Sequence, residues 1–184
     1  MLLAILGILA GFAVVLFCEL PDNRLWDFYY WSSNTFGFWM FSTSLIALFS
    51  EKRKCAAINA GIYIFLMFLI TTIYKSFRLY WDGNTPFLSL LDLSVNSVYG
   101  WLIYSIPAAL LCAALGFVLW SGRKNTFWGK TLRVLPALFI LIETVVLLYS
   151  VFAYQAKLFS ALTNLICLVV YIVEIKKTTI TQSG

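Results

Sequence analysis

Six long apolar segments dominate the 184-residue chain and constrain its fold more than any other feature. A helix needs roughly 17–25 apolar residues to cross about 30 Å of hydrocarbon, and most of the segments reach or approach this length. They run over residues 2–18, 36–50, 55–74, 98–120, 134–154 and 158–175. This pattern predicts an all-α integral membrane bundle of about six transmembrane helices, forming a single transmembrane domain over residues 1–184.

Charged residues are too scarce for a water-soluble domain of this size. They make up 11% of the chain and apolar residues make up 62%, whereas an ordinary soluble domain is about 25% charged. In lipid, apolar side chains can face outward as well as inward. We therefore expect the lipid bilayer to be the partner of most of the surface. The net charge of +5 is attributed to membrane orientation and not to nucleic-acid binding.

The basic residues favour one side of the predicted bundle. With both termini in the cytoplasm, nine of the 13 basic residues lie in the inner connections, residues 51–54 and 121–133, and in the tail after residue 175. The outer side keeps Arg24, Lys75, Arg78 and Lys157. Because basic residues are enriched in cytoplasmic loops, this division predicts that both termini are cytoplasmic.

The chain lacks the residue types on which most catalytic and metal sites depend. Histidine is absent, which excludes Ser-His and Cys-His nucleophiles and any histidine-ligated metal. Cys18, Cys55, Cys112 and Cys167 lie in or beside apolar segments without a Cys-x-x-Cys pair, as expected of small buried apolar residues. We therefore predict a protein that is not an enzyme and has no cofactor and no metal site.

Glu143 is a carboxylic acid in the middle of the fifth apolar segment. A charge at that depth costs roughly 3 kcal/mol on insertion scales, so the group is expected to be protonated, paired or beside water. One hypothesis makes Glu143 a proton, cation or ligand contact inside the bundle. The other makes it a polar staple, hydrogen-bonded to Asn164, Thr163, Tyr104 or Ser42 on a neighbouring helix.

Aromatic residues concentrate on the predicted outer side of the bundle. A simple interfacial belt should appear at both membrane faces, yet the inner face carries fewer rings. Rings beside a few polar groups are typical of a pocket for a planar or sugar-like solute. We therefore predict a ligand-binding site formed by Glu143, Asn164 and five aromatic residues, while an interfacial belt remains the alternative. The five are Trp31, Trp39, Trp81, Trp101 and Tyr104.

Charged residues border the same aromatic region. Asp22 and Asp27 lie in the first outer connection and are interpreted as solvated loop carboxylates. Arg24, Lys75 and Arg78 either meet an anionic group or lie at the depth of the lipid headgroups.

Two glycines indicate how the first helix packs. Gly7 and Gly11 are four residues apart, so they lie on one helical face and permit another helix to approach closely. This face is predicted to be a helix-packing surface, with a helix of the same chain, a membrane protein partner or a second copy as the candidates.

Two resemblances rest on these segments. The runs WSSNTFGFWMFST (31–43) and FSEKRKCAAINA (49–60) resemble a pattern in small multi-pass membrane proteins of Gram-positive bacteria, which implies a bacterial cytoplasmic membrane location. The overall plan is similar to the substrate-capture subunits of energy-coupling-factor transporters, in which an Ala-xxx-Ala motif stands where this chain has Gly7 and Gly11. That similarity implies capture of a small solute.

Three functions fit these observations. The first is binding or transport of a small solute captured from the extracytoplasmic side. The second is a non-catalytic scaffold or regulatory subunit, which would engage a membrane protein through the glycine face and the basic segment 121–133. The third is an oligomeric pore in which Glu143 faces a shared axis.

Overall fold

The computed structural model describes residues 2–29, 31, 35–81, 99 and 101–181, without the side chains of residues 79–81, 101, 102 and 178–181. Within these ranges the chain forms six α-helices and no strand, which confirms the all-α class. The helices are α1 (Leu2–Cys18), α2 (Phe36–Phe49), α3 (Arg53–Trp81), α4 (Ile106–Leu119), α5 (Phe127–Tyr154) and α6 (Leu158–Thr181). A π-helical turn, Trp101–Ser105, precedes α4, and a 3-10 turn, Trp120–Arg123, follows it.

Three helices extend beyond the apolar segments that predicted them. Helix α3 continues to Trp81, past residue 74, and α6 continues to Thr181, past residue 175. Helix α5 begins at Phe127, ahead of residue 134. An apolar segment marks only the part of a helix that suits hydrocarbon. The helical backbone continues into polar surroundings because residues such as Lys, Arg and Thr do not end a helix.

The outer surface of the bundle is apolar, as expected of a protein in lipid. Four segments are long and apolar enough to cross a membrane, namely Arg53–Arg78, Ile103–Arg123, Phe127–Tyr154 and Leu158–Lys177. Outward-facing side chains such as Ile142 and Phe152 are 65% and 83% exposed. These features indicate a helical membrane protein. The cytoplasmic placement of both termini and the type of membrane stay predictions.

Helices α1 and α2 are apolar but short. With 17 and 14 residues they extend over about 25 Å and about 21 Å at the helical rise. A hydrocarbon layer is about 30 Å thick, so α2 by itself does not cross it. If one end of α2 reaches the membrane interface, its other end must therefore lie inside the hydrocarbon layer.

The glycine face of α1 packs against α3 of the same chain. A Cβ atom at Gly7 would lie 2.7 Å from the backbone oxygen of Tyr63, and one at Gly11 would lie 2.9 Å from the Cβ of Ile70. Since real Cβ atoms do not approach so closely, both positions require glycine for this helix contact.

Helix α2 occupies the centre of the bundle. It contacts α3, α4, α5 and α6, whereas α1 and α2 both pack on α3 and scarcely touch each other. We call the end of the bundle that holds residues 51–54 and 121–126 the basic end. The opposite end, which holds residues 19–29 and 155–157, is called the aromatic end.

Candidate functional site

A carboxylate from α5 caps the first turn of α2. The backbone N–H of Phe36 donates to Glu143 Oε1 at 2.9 Å, and the N–H of Gly37 donates to Glu143 Oε2. Asn164 on α6 also donates to Oε2, from its Nδ2 at 2.7 Å. Glu143 and Asn164 are thus brought together as predicted neighbours, and the backbone amides of α2 join them.

Local sequence explains why α2 needs this distant carboxylate. Thr35 precedes the helix, but its side chain caps no amide of α2 and instead donates to the carbonyl oxygen of Trp31 at 2.5 Å. The first amides of a helix have no partner within the helix and carry partial positive charge. A carboxylate is therefore the acceptor that suits them best.

The depth of this contact makes it unusual. Along α5, Glu143 lies about 16 Å from Tyr154 and about 24 Å from Phe127 at the helical rise of ~1.5 Å per residue. The start of α2 therefore lies within the hydrocarbon layer. Water is scarce there, so backbone groups must be satisfied by the protein itself. Helices that begin at mid-membrane are a recurring feature of transporter binding sites.

Gly37 and Asn164 fit together closely at the same point. A Cβ atom at Gly37 would lie 2.5 Å from Asn164 Oδ1 and 2.6 Å from its Nδ2, so only glycine admits the amide. Asn164 is fully buried, and its Oδ1 has no hydrogen-bond partner within the described part of the chain. The cluster of Glu143, Asn164 and Gly37 is called the α2 cap.

A second carboxylate performs the same task at the aromatic end. Asp27 accepts from the backbone N–H of Ser160 at 3.2 Å and from the Ser160 hydroxyl, at the start of α6. It is 8% exposed, which corrects its interpretation as a solvated loop carboxylate; Asp22 is exposed as interpreted. The error arose because a polar loop is usually solvated, and no local pattern shows that this loop folds over α6. We call Asp27 and Ser160 the α6 cap.

The predicted aromatic site residues do not share one position. Trp31 is 5% exposed and packs against Phe17, Phe38 and Phe159, while its Nε1 donates to Thr163 Oγ1 at 2.7 Å. Trp31 is therefore a core residue at the aromatic end.

The other four aromatic residues are dispersed or incompletely described. Trp39 is half-buried, with edge-to-face contacts to Phe36 at 5.2 Å and Phe68 at 4.9 Å between ring centroids. Tyr104 is 66% exposed on the outer surface. The side chains of Trp81 and Trp101 lie outside the described residues.

Two basic residues of the aromatic end, Lys75 and Arg78, donate to backbone carbonyl oxygens. Lys75 Nζ donates to the carbonyl oxygen of Tyr29 at 2.7 Å and lies 4.4 Å from the centroid of its ring. Arg78 donates to the carbonyl oxygen of Cys18 and forms an ion pair with Glu19 at 3.7 Å. These contacts tie the first connection to α3.

A groove at the basic end was not predicted from the sequence. It encloses about 550 Å³ between α1, α2 and α3, where α1 and α2 leave a space. Its walls are mainly apolar, and its polar groups are Ser42, Ser50, Glu51, Asn59 and Tyr63. We call it the inner groove. A second groove of about 410 Å³, between α3 and α4, is lined by apolar residues throughout.

Polar residues inside apolar segments were the available signal for the inner groove. Ser42 lies on α2, and Asn59 and Tyr63 lie on α3. Three polar residues in two separate helices do not reveal that the helices are neighbours. Only the packing of both helices beside α1 brings these side chains to one cavity.

The described part of the chain offers carboxylates and four cysteines as possible metal ligands. In that part of the chain, no three His, Cys, Asp or Glu side chains come together to hold a metal ion. Cys18, Cys112 and Cys167 are buried free thiols, and Cys55 is an exposed one at the groove mouth. Comparison with protein-family models, curated proteins and solved structures finds no match to this chain.

Proposed function

We propose that this membrane protein binds a small solute with an apolar body in the inner groove. The observation that carries the proposal is a cavity of about 550 Å³ that reaches from the basic end toward the centre of the bundle. Small-molecule sites typically enclose ~300–1,000 Å³ and combine apolar walls with a few polar groups. The groove has both properties, whereas the wholly apolar groove between α3 and α4 lacks the polar groups.

Helix α2 connects the inner groove to the α2 cap. Phe38, Phe41, Ser42 and Leu45 face the groove, and Gly37 immediately precedes them in the chain. A ligand that shifts α2 along its axis would therefore stretch the hydrogen bonds of Phe36 and Gly37 to Glu143. This connection supports a role in moving a solute across the membrane, with the α2 cap as the point that must open.

Entry of the solute from the extracytoplasmic side stays a prediction, based on the concentration of aromatic residues at that end of the sequence-predicted bundle. Trp31 fills the core at the aromatic end, so its replacement by alanine would remove packing as well as any ligand contact. Ligand binding is therefore better tested by substitutions of residues that line the inner groove.

Native mass spectrometry of the protein, purified in mild detergent, tests the proposal. Leu6 lines the groove, and Leu9 is a 56% exposed residue on the same helix outside it. We expect wild-type protein and Leu9→Trp to retain a non-protein mass that Leu6→Trp loses, because the indole would fill the cavity. Retention that is equal in all three proteins, or no retained mass in any, would contradict the proposal.

A scaffold is the second candidate function, and one surface favours it. Phe127 and Trp128 are 78% and 72% exposed at the start of α5, beside the basic segment. The glycine face does not favour it, because α3 already covers Gly7 and Gly11. A stoichiometric protein partner without a retained small molecule would support the scaffold over solute binding.

The oligomeric pore is the least supported of the three functions. It requires Glu143 to face a shared axis, yet this carboxylate accepts three hydrogen bonds from α2 and α6 of its own chain.

A further inference from the structure

We infer that the ligand of the inner groove is an anionic phospholipid of the surrounding leaflet, with an acyl chain in the groove and its phosphate beside Lys52 and Lys54. This inference rests on the proposed function and specifies the chemical class of the solute. It is supported by the shape of the groove, the charge at its mouth and the rigidity of the residues around that mouth.

The groove opens sideways, toward the lipid, as well as at the basic end. Leu6 on α1 and Phe49 on α2 line it and are 42% and 63% exposed. In a membrane, these side chains border hydrocarbon, so an acyl chain reaches the groove without crossing water. The walls further in are apolar, as an acyl chain requires, with Phe38, Phe41 and Leu45 on the α2 side.

Positive charge lies at the mouth of the groove. Glu51 and Cys55 line the mouth, and the three residues between them are basic and exposed. With one acidic and three basic side chains, residues 51–54 carry a net charge of +2. Helix α3 also begins here, at Arg53, so the partial positive charge of its first amides adds to that of the side chains.

Two of the basic side chains remain available for a headgroup. Arg53 is engaged, since its Nε donates to the carbonyl oxygen of Phe117 at 2.9 Å and its guanidinium lies 3.8 Å from the Phe117 ring centroid. Within the described part of the chain, the side chains of Lys52 and Lys54 form no hydrogen bond or ion pair, although the backbone oxygen of Lys52 accepts from the N–H of Ala56 at 2.9 Å. Both lysines directly adjoin, in the chain, residues that line the mouth of the groove, so either ammonium group can reach a phosphate there.

The backbone at the mouth is held in place by the next connection. Arg123 donates to the carbonyl oxygen of Ser50, and the Nε1 of Trp120 donates to the same oxygen at 3.0 Å. Ser50 also donates through its hydroxyl to the carbonyl oxygen of Ile46 at 2.6 Å. Because these bonds fix the end of α2 against the 3-10 turn, the two lysines project from a defined position.

A competition between two lipids tests the inference. Delipidated protein in detergent is given equimolar phosphatidylglycerol and phosphatidylcholine, and native mass spectrometry measures the ratio of the two adducts. We expect the anionic lipid to be preferred by about tenfold, and the preference to fall close to one in Lys52→Gln/Lys54→Gln. Lys130→Gln/Lys176→Gln removes the same charge from other exposed positions and should keep the preference.

The outcomes separate this inference from the proposed function. Equal retention of both lipids by wild type, or equal loss of preference in the two double variants, would overturn the headgroup assignment. The proposed function would survive that result if Leu6→Trp abolished both adducts. In the purification test of the proposed function, a retained mass that is not a phospholipid would overturn the inference alone, and absence of any retained mass would overturn both.

Discussion

The α2 cap and the α6 cap use the same chemistry in two different places. Each places a carboxylate on the first amides of a helix that lies far away in the sequence. At α6, the connection supplies further acceptors, since the N–H groups of Lys157 and Leu158 donate to the carbonyl oxygens of Arg24 and Leu25 at 3.2 and 2.8 Å. At α2, the acceptor for both Phe36 and Gly37 within the described residues is the single side chain of Glu143.

This difference follows from depth in the membrane. The α6 cap lies at the aromatic end, where a loop folds over the helix and several backbone oxygens are at hand. The α2 cap lies within the hydrocarbon layer, where a single acidic side chain must serve both amides. Because Glu143 is the acceptor for both amides among the described residues, damage to the α2 cap should have the larger effect.

Glu143→Ala should produce the largest loss of stability. It leaves two backbone N–H groups and Asn164 Nδ2 without their acceptor, and unsatisfied buried donors cost about 1–3 kcal/mol each. We expect the free energy of unfolding, measured by denaturing-detergent titration, to fall by about 3 kcal/mol or more.

Glu174→Ala is the matched control for that variant. Glu174 pairs with Lys177, which is 66% exposed, so its removal should cost less than about 1 kcal/mol. If the two alanine variants unfolded alike, Glu143 would not be a structural cap. Glu143→Gln keeps one acceptor oxygen, so its free energy of unfolding should lie between those of wild type and Glu143→Ala.

Gly37→Ala should cause the second-largest loss of unfolding free energy. Its Cβ would lie 2.5 Å from Asn164 Oδ1, so the added methyl group must displace the amide from Glu143. Overpacking of this kind costs about 1–3 kcal/mol. In Gly61→Ala on α3, the new Cβ would lie 3.3 Å from the Cβ of Ala113, which requires a shift of only a few tenths of an ångström, so that control should cost less than Gly37→Ala. Equal effects at both glycines would contradict the close fit at the α2 cap.

Asp27→Asn should have the smallest effect of the three. The amide keeps one acceptor oxygen but loses the charge that favours a helix N-terminus, and the N–H groups of Lys157 and Leu158 keep their acceptors. The expected loss is about 1 kcal/mol. Asp22→Asn, at an exposed site that accepts from the N–H of Tyr29 at 3.2 Å, should stay within about 0.5 kcal/mol of wild type. A larger loss of unfolding free energy in Asp27→Asn than in Glu143→Ala would contradict the greater importance of the α2 cap over the α6 cap.

The sequence predicted the helices and singled out two residues, Glu143 and Asn164, that form part of the α2 cap. Hydropathy located all six helices, because each is apolar enough to be recognised in isolation. It also singled out Glu143, since a carboxyl group in an apolar segment stands out. Asn164 was among the four partners considered for Glu143. The backbone amides of α2 were not considered, because every residue type has the same backbone N–H group and no residue pattern shows which of them lack a partner.

Long-range packing explains what the sequence did not reveal. Asp27 looks like any other loop carboxylate until the first connection is folded against α6, more than a hundred residues later. The inner groove depends on a gap between α1 and α2, and a gap has no residue pattern of its own. Gly37 likewise acquires its role only because Asn164 lies beside it.

A double-mutant cycle between Glu143 and Asn164, measured in lipid bicelles, tests the α2 cap most directly. The free energy of unfolding is determined for wild type, Glu143→Ala, Asn164→Ala and the double variant. Because the two side chains share a hydrogen bond of 2.7 Å at the start of α2, we predict a coupling energy of about 1 kcal/mol or more. Effects that add to within about 0.3 kcal/mol would contradict a shared cap at mid-membrane.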